Sequence, residues 1–409
     1  MPHVRAGRKR AAREGRERVG SKRTSSPERG IHMTTLTTVR EQLLALTAAG
    51  QPILTVSLDL EPGRDGIPAA HRVLAQAWRH VEEQTPVAHD MRRSFEEDRA
   101  AVTAAIDGAI AAGARGYFYV GCAAERVRFE LETPQPFRNS ATLLRVPWLF
   151  ELERYEYLSH RPVSLVMATV GEMHALRVQY GEVVERADVE HDATDIAGGH
   201  GRTALQGGVA AGPGREYQGG HAKSRIEKSI LAHRAQVAAD EAARLGDFIG
   251  GDDVVLVAGA DEPRAELMRH LAAAIADHAI LLPHVAPTSS EQELADQAMA
   301  LARDAQLAAA DREVDAWLAG DHRDRAVSGI GALREASDRG QLGRLIMHEQ
   351  AVTHFGTADD TRMHAGAAGD DEAINDLLHS ALTHGVECAF TRNDVLLERY
   401  EGAIGVNRW

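Results

Sequence analysis

Cysteine is nearly missing from this 409-residue sequence: only Cys122 and Cys388 carry a thiol, far apart and with no CxxC pair. That excludes a zinc-ribbon or disulfide framework and fits a reducing compartment. No apolar run approaches the roughly 20 residues needed to cross a bilayer, and no apolar h-region opens the chain, so a cytoplasmic protein without a membrane partner is expected. HExxH zinc spacing, EF-hand loops, GxGxxG and GxxxxGK[ST] phosphate cradles and the GxSxG nucleophile elbow are all lacking. Twenty histidines are present, and HDATD (191–195) and HFGTADDTRMH (354–364) hold ligand-type residues without a metal-site spacing. The expectation is therefore no metal and no cofactor, with the histidines scattered over the surface.

What is present is ordinary globular composition, 44% hydrophobic and 26% charged, at a length suited to two to four domains. The net charge of −14 conceals an asymmetry. Residues 1–32 carry ten Lys/Arg against three acids, a net of +7, which leaves −21 for the remainder. A basic, apolar-poor stretch of this kind packs no core and reads as a disordered arm. It reads equally as an upstream stretch ahead of a true start at Met33, where the globular pattern begins. Contacts with nucleic acid then come from local basic patches rather than from net charge.

Mixed helices and strands follow. TTLTTVREQLLALTAAG reads as a capped amphipathic helix and QPILTVSLDLEPG as a strand and turn. Two helices over 68–84 and 90–112 and strands at RGYFYVGC and RVRFELETP complete a unit assigned to 33–160. A second unit, 161–286, opens with three strand-like runs (162–171, 173–181, 182–190) punctuated by Gly171 and Gly181. A glycine-rich loop over 191–220 comes next, then a helical pattern from Ala222. Strand DDVVLVAGA, helix EPRAELMRHLAAAIADH and strand AILLPHVAP imply a parallel pair with a crossover. The third unit, 287–409, has a long Ala-rich helix opened by a serine cap, a helix over RAVSGIGALREASDRG, strand RLIMHE, a Gly/Asp-rich stretch (356–371), helix DEAINDLLHSALTHG and strands VECAFTR and GAIGVNR. It reads as an α/β/α sandwich. The fold class is α/β, three mixed α/β domains in series.

The chemistry concentrates at YQGGHAKSR, 217–225. Nine glycines lie within residues 198–220, more than a packed element tolerates, and a basic helical segment follows at once. The alternatives are a plain flexible linker followed by a solvated charged helix face, or an active-site lid in a small-molecule α/β enzyme, which implies an apolar pocket and convergent titratable groups beside the loop. An RNA-binding protein acting off the ribosome is a third.

The order of elements, the loop-to-basic-helix transition and the closing THGVECAFTRNDVLLERYEGAIGVNRW resemble the bacterial branch of the archaeo-eukaryotic class I release factor family, over about three quarters of the chain. The resemblance implies release-factor-like N, central and C domains, the last similar to kink-turn-binding ribosomal proteins. It implies that Gly219, Gly220 and His221 stand where the family presents Gly-Gly-Gln to the ribosomal peptidyl-transferase centre, where glycines permit unusual backbone angles and a backbone N–H stabilises an oxyanion. Gly199 and His200, in the earlier GGH, are the lesser candidate. Lys223, Arg225, Lys228 and Arg234 then face rRNA phosphate. The departures are as informative. Gly-Gly-Gln occurs nowhere, the Asn-Ile-Lys-Ser used at stop codons is absent, and YFYVGCAAERVRF does not match the companion Tyr-x-Cys-x-x-x-Phe signature. Within the family the chain is therefore similar to the Balon-type ribosome hibernation factors of actinobacteria, which implies A-site occupancy of idle ribosomes with elongation factor Tu as partner. A variant peptidyl-tRNA hydrolase acting in ribosome rescue, with His221 as general base, is the second implication.

Overall fold

The computed structural model describes residues 33–409 apart from 47–50, 65, 85–88, 170–171, 191–231, 233–234, 237, 283–288, 321–323, 356–362 and 365–370. After helix Met33–Leu44, β1 (Ile53–Asp59) forms the heart of a four-stranded antiparallel sheet with β2 (Gly116–Cys122), β3 (Val127–Thr133) and β4 (Ser140–Leu144), in the order β3-β2-β1-β4. Two-residue alternation makes both faces of this sheet buried. Leu54, Val56, Tyr117 and Tyr119 pack under helices Ala70–Gln84 and His89–Ala111. Ile53, Phe118 and Val120 point the other way, towards helix Phe150–Ser159. The short run β4 and this last helix are absent from the sequence expectation.

The central sheet is β7-β6-β5-β8-β9. β5 (Val163–Ala168), β6 (Glu172–Gln179) and β7 (Glu182–Glu190) form the expected antiparallel trio. The tight turn between β6 and β7 places Tyr180 at φ 52° and Gly181 at φ 88°, the paired left-handed geometry that matches strand twist in a two-residue hairpin. β8 (Val254–Gly259) runs parallel to β5 and to β9 (Ile280–Leu281), the expected crossover. The connecting helix is shorter than the sequence implies. It spans Asp261–His270, and Leu271 and Ala272 are extended before a turn of helix at Ala273–Ala276. Leu271 is thereby buried in the core rather than carried round the helix. Helical residues 238–248 cover one face, and the first half of helix Glu291–Leu318 covers the other. That long helix opens with the expected cap: Ser290 and Glu293 form a reciprocal capping box.

The C-terminal sheet is β10-β15-β11-β14, from β10 (Ala326–Ser328), β11 (Leu342–His348), β14 (Glu387–Thr391) and β15 (Ala403–Asn407), with β12 (His354–Phe355) and β13 (Met363–His364) as a separate pair. The single helix expected over 325–340 is instead strand β10, then Gly329 at φ 84°, then helix Ile330–Asp338. Ala326–Ser328 gain ladder partners in β15, and a left-handed Gly329 stops one element and starts the next. Leu345 and Phe390 face helices Ile330–Asp338 and Asp371–Thr383, while Ile346 and Ala389 face Val314 of the long helix and Leu396 of helix Val395–Arg399. This is the expected α/β/α layering.

The three sheets are not joined alike. One core runs from the N-terminal sheet through Trp148, Phe150 and Tyr155 to Leu345, Leu377 and Phe390. The Phe150 and Phe390 rings meet edge-on at 5.2 Å. Asn375 takes the Leu149 N–H and donates to the Pro147 carbonyl, so both ends of a buried amide are engaged across the boundary. Beside it, Arg138 and Arg154 flank the wholly buried Glu151, and Arg154 reaches Glu349 at 3.2 Å. The central sheet keeps two cores of its own. Apart from the long helix, which runs on from its face to the C-terminal sheet, it meets the rest mainly through polar contacts, among them Arg115 bridging Glu61 and Asp296, and Gln179 to the His160 carbonyl. Gly181 is needed here for a second reason, because a Cβ would strike the Gln135 side chain of the N-terminal unit. Tyr180 is the apolar exception, stacked on Tyr155 at 6.1 Å.

Candidate functional site

The residues singled out by sequence, Gly219, Gly220, His221, Gly199, His200, Lys223, Arg225, Lys228 and Arg234, lie outside the described residues. Their frame is described. On one side β7 is the edge strand, hydrogen-bonded to β6 up to the Glu172–Glu190 pair. On the other, residues 238–248 return as helix, with Ala238, Ala242, Leu245 and Phe248 buried against the sheet. Both ends of segment 191–231 are thus fixed to one sheet, a strand edge and a packed helix about 50 residues apart in sequence. A strand edge and a packed helix on one sheet are the kind of rigid frame from which proteins present functional loops. Across the exposed face of this hairpin, His174 and Asp188 pair at 2.8 Å.

A second candidate is a cleft of about 890 Å³ where the three units meet. Its walls come from Arg40 of the first helix, Glu153 and Glu156 of helix Phe150–Ser159, Glu313 of the long helix, Arg344 of β11 and Cys388 of β14. Sequence reasoning had no means of finding it, because these residues are spread from 40 to 388 and share no motif. Most of its charges are already engaged. Arg344 bridges Glu313 and Glu387; Asp253 takes Ser164 and Arg177; Tyr180 donates to Glu156 at 3.0 Å. Burial pushes the Glu153 carboxyl up to about 7, against the pull of Arg40 and with repulsion from Glu156. Burial also raises Glu156 and pushes the Cys388 thiol well up, which makes it a poor nucleophile.

The lid reading asks for an apolar pocket beside the glycine-rich segment. This cleft has mixed charged and apolar walls and borders neither Glu190 nor residues 238–248. No nucleophile within it is paired with a base among the described residues. His354 and His364 are register partners in the β12–β13 ladder, and no group of three metal-ligating side chains comes together among the described residues. No helix among them is long and apolar enough to cross a membrane.

No family model matches the chain, and no curated protein matches it. Among solved structures it is similar to the archaeal translation termination factor aRF1, at 14% identity over 92% of this chain and 98% of that one with a TM-score of 0.23. It is similar to Pelota of Archaeoglobus fulgidus, at 14% identity over 72% and 79% with a TM-score of 0.35. A third is Dom34 of S. cerevisiae, a translation termination-like factor involved in RNA quality control pathways and interacting with Hbs1, at 10% identity over 72% and 80% with a TM-score of 0.36. Likenesses at this level carry none of those proteins' chemistry to this chain.

Proposed function

We propose that this protein is a release-factor-like ribosome-binding factor that occupies the A-site region of idle ribosomes and reads no stop codon. The observation that carries the reading is the segment between β7 and the returning helix, which holds Gly219-Gly220-His221 directly ahead of Lys223, Arg225 and Lys228. Glycines at a loop tip lower the steric cost of entering a narrow site and expose backbone N–H groups there. The cations that follow, with Arg234, neutralise rRNA phosphate without reading sequence, so binding weakens steeply with salt. The absence of Asn-Ile-Lys-Ser and of Gly-Gly-Gln argues against decoding and against ordinary termination. In this reading the N-terminal unit lies near the decoding centre, the tip approaches the peptidyl-transferase centre, and the C-terminal unit faces the side of elongation factor Tu.

The test is co-sedimentation with 70S ribosomes from starved cells, with peptidyl-tRNA hydrolysis assayed in the same fractions. The expected result is binding by the wild type, roughly tenfold or more weaker in Lys223→Glu/Arg225→Glu at moderate salt, without hydrolysis. Hydrolysis that disappears in Gly220→Ala moves the protein to the peptidyl-tRNA hydrolase branch, with His221 as base. Absence of ribosome binding overturns both.

A further inference from the structure

Helix Met33–Leu44 is the first described element of the chain. Leu36, Val39 and Leu43 hold it on the core shared by the N- and C-terminal units. At 12 residues it is too short to persist alone in water, so its order depends on that docking. Among the described residues it is tied to the rest of the molecule by an ion pair from Arg40 to Glu153, at 3.6 Å, longer than a good charge-assisted hydrogen bond. The two partners differ sharply: the Glu153 side chain is 6% exposed, the Arg40 side chain 35%. Arg40 lies partly in solvent; Glu153 is almost out of it.

The packing around Glu153 is also incomplete. It borders the large cleft on one side and, with Leu36, Arg40, Leu152 and Glu156, a void of about 10 Å³ on the other, close to the room a single water needs. The groups facing it are Arg40 from the helix, Glu156 one turn further along its own helix, and Cys388 of β14. Glu156 is in turn engaged by Tyr180 and lies near His160, and Arg344 with Glu387 stands behind Cys388. One half-exposed cation therefore opposes a carboxyl with an acidic neighbour in a nearly dry site.

We propose that helix Met33–Leu44 is a proton-sensitive strap, which closes over the junction of the three units with Glu153 protonated and lifts when Glu153 ionises. Closing removes Glu153 from water and favours its neutral form; opening returns it to water as an ordinary carboxylate. The sign follows from linkage. A carboxyl held up near 7 in the closed state and near its usual value when open stabilises closure fully below the usual carboxylate range, and loses that contribution as pH rises towards 7. Acidification tightens the strap over the cleft wall that Arg40 forms.

Hydrogen exchange of the strap amides in the full-length protein, corrected for intrinsic rates from pH 5 to 8, tests this directly. Opening of the strap rises by up to about tenfold per pH unit as pH climbs towards 7, while amides of β11 in the same molecules do not follow. In Glu153→Gln the strap stays closed across the range, and tryptic cleavage after Arg40 is slow at every pH. A wild-type strap whose opening ignores pH overturns the proposal without any variant. So does a Glu153→Gln protein that keeps the wild-type pH dependence.

Discussion

The N-terminal and C-terminal sheets come from opposite ends of the chain yet share a core, whereas the central sheet is nearly self-contained. Between the first two lie interlocked aromatics, a buried amide and a buried Arg–Glu network. Between them and the central sheet lie half-exposed ion pairs, one stacked tyrosine and a cleft of about 890 Å³. Buried apolar and ionic contacts are all-or-none, while exposed polar ones are weak and exchange easily with water. The two-sheet body is thus joined to the central sheet by the long helix, whose apolar residues pack on both, and otherwise by polar contacts, and the central sheet is the one from which the glycine-rich segment departs.

Three single substitutions and one double-mutant cycle break or sharpen this contrast. Glu151→Ala leaves the partly buried Arg138 and Arg154 without the buried carboxylate between them, with Glu349 still paired to Arg154, and is expected to cost about 3 kcal/mol, read by urea unfolding. Phe150→Ala and Leu256→Ala each remove a fully buried core side chain, at about 2–5 kcal/mol apiece. Their footprints in hydrogen exchange differ: Phe150→Ala loosens β1 and β11 together, and Leu256→Ala loosens β5 and β8 alone. Leu256→Ala reaching β1 and β11 equally would erase the distinction. The smallest effect is at the polar boundary. A double-mutant cycle between Arg115 and Asp296, whose side chains are 30% and 34% exposed, gives a coupling of about 0.2–1 kcal/mol that fades with salt.

Much of this was legible in the sequence where periodicity is strong. The strand trio up to Glu190, the crossover between β8 and β9 and the capped helix at Ser290 stand where the pattern puts them. What escaped is the stretch 140–159. SATLL is too short to alternate convincingly, and FELERYEYLS has Glu151 and Glu153 buried where a periodic reading expects solvent. Glu151 is inside because Arg138 and, one turn along its own helix, Arg154 face it, and Glu153 because Arg40 and the packing of distant segments surround it. The i,i+3 spacing of Glu151 and Arg154 is a local signal, but it does not tell a buried pair from a solvated one. The same stretch builds the shared core. Its invisibility is why the sequence reads as three units in series. The cleft was illegible for a related reason, since its walls exist only once the three units meet. The glycine-rich tip is the reverse case, carried by composition and spacing alone and lying outside the described residues.

The central claim is that this tip reaches the peptidyl-transferase centre. Chemical footprinting of 23S rRNA in 70S ribosomes, with the wild type and with a chain whose residues 198–225 are replaced by a Gly-Ser linker of equal length, tests it most directly. Protection of peptidyl-transferase nucleotides by the wild type, lost in the replacement chain while the rest of the footprint persists, is the predicted result. A wild-type footprint that leaves those nucleotides untouched, or no footprint at all, would contradict it.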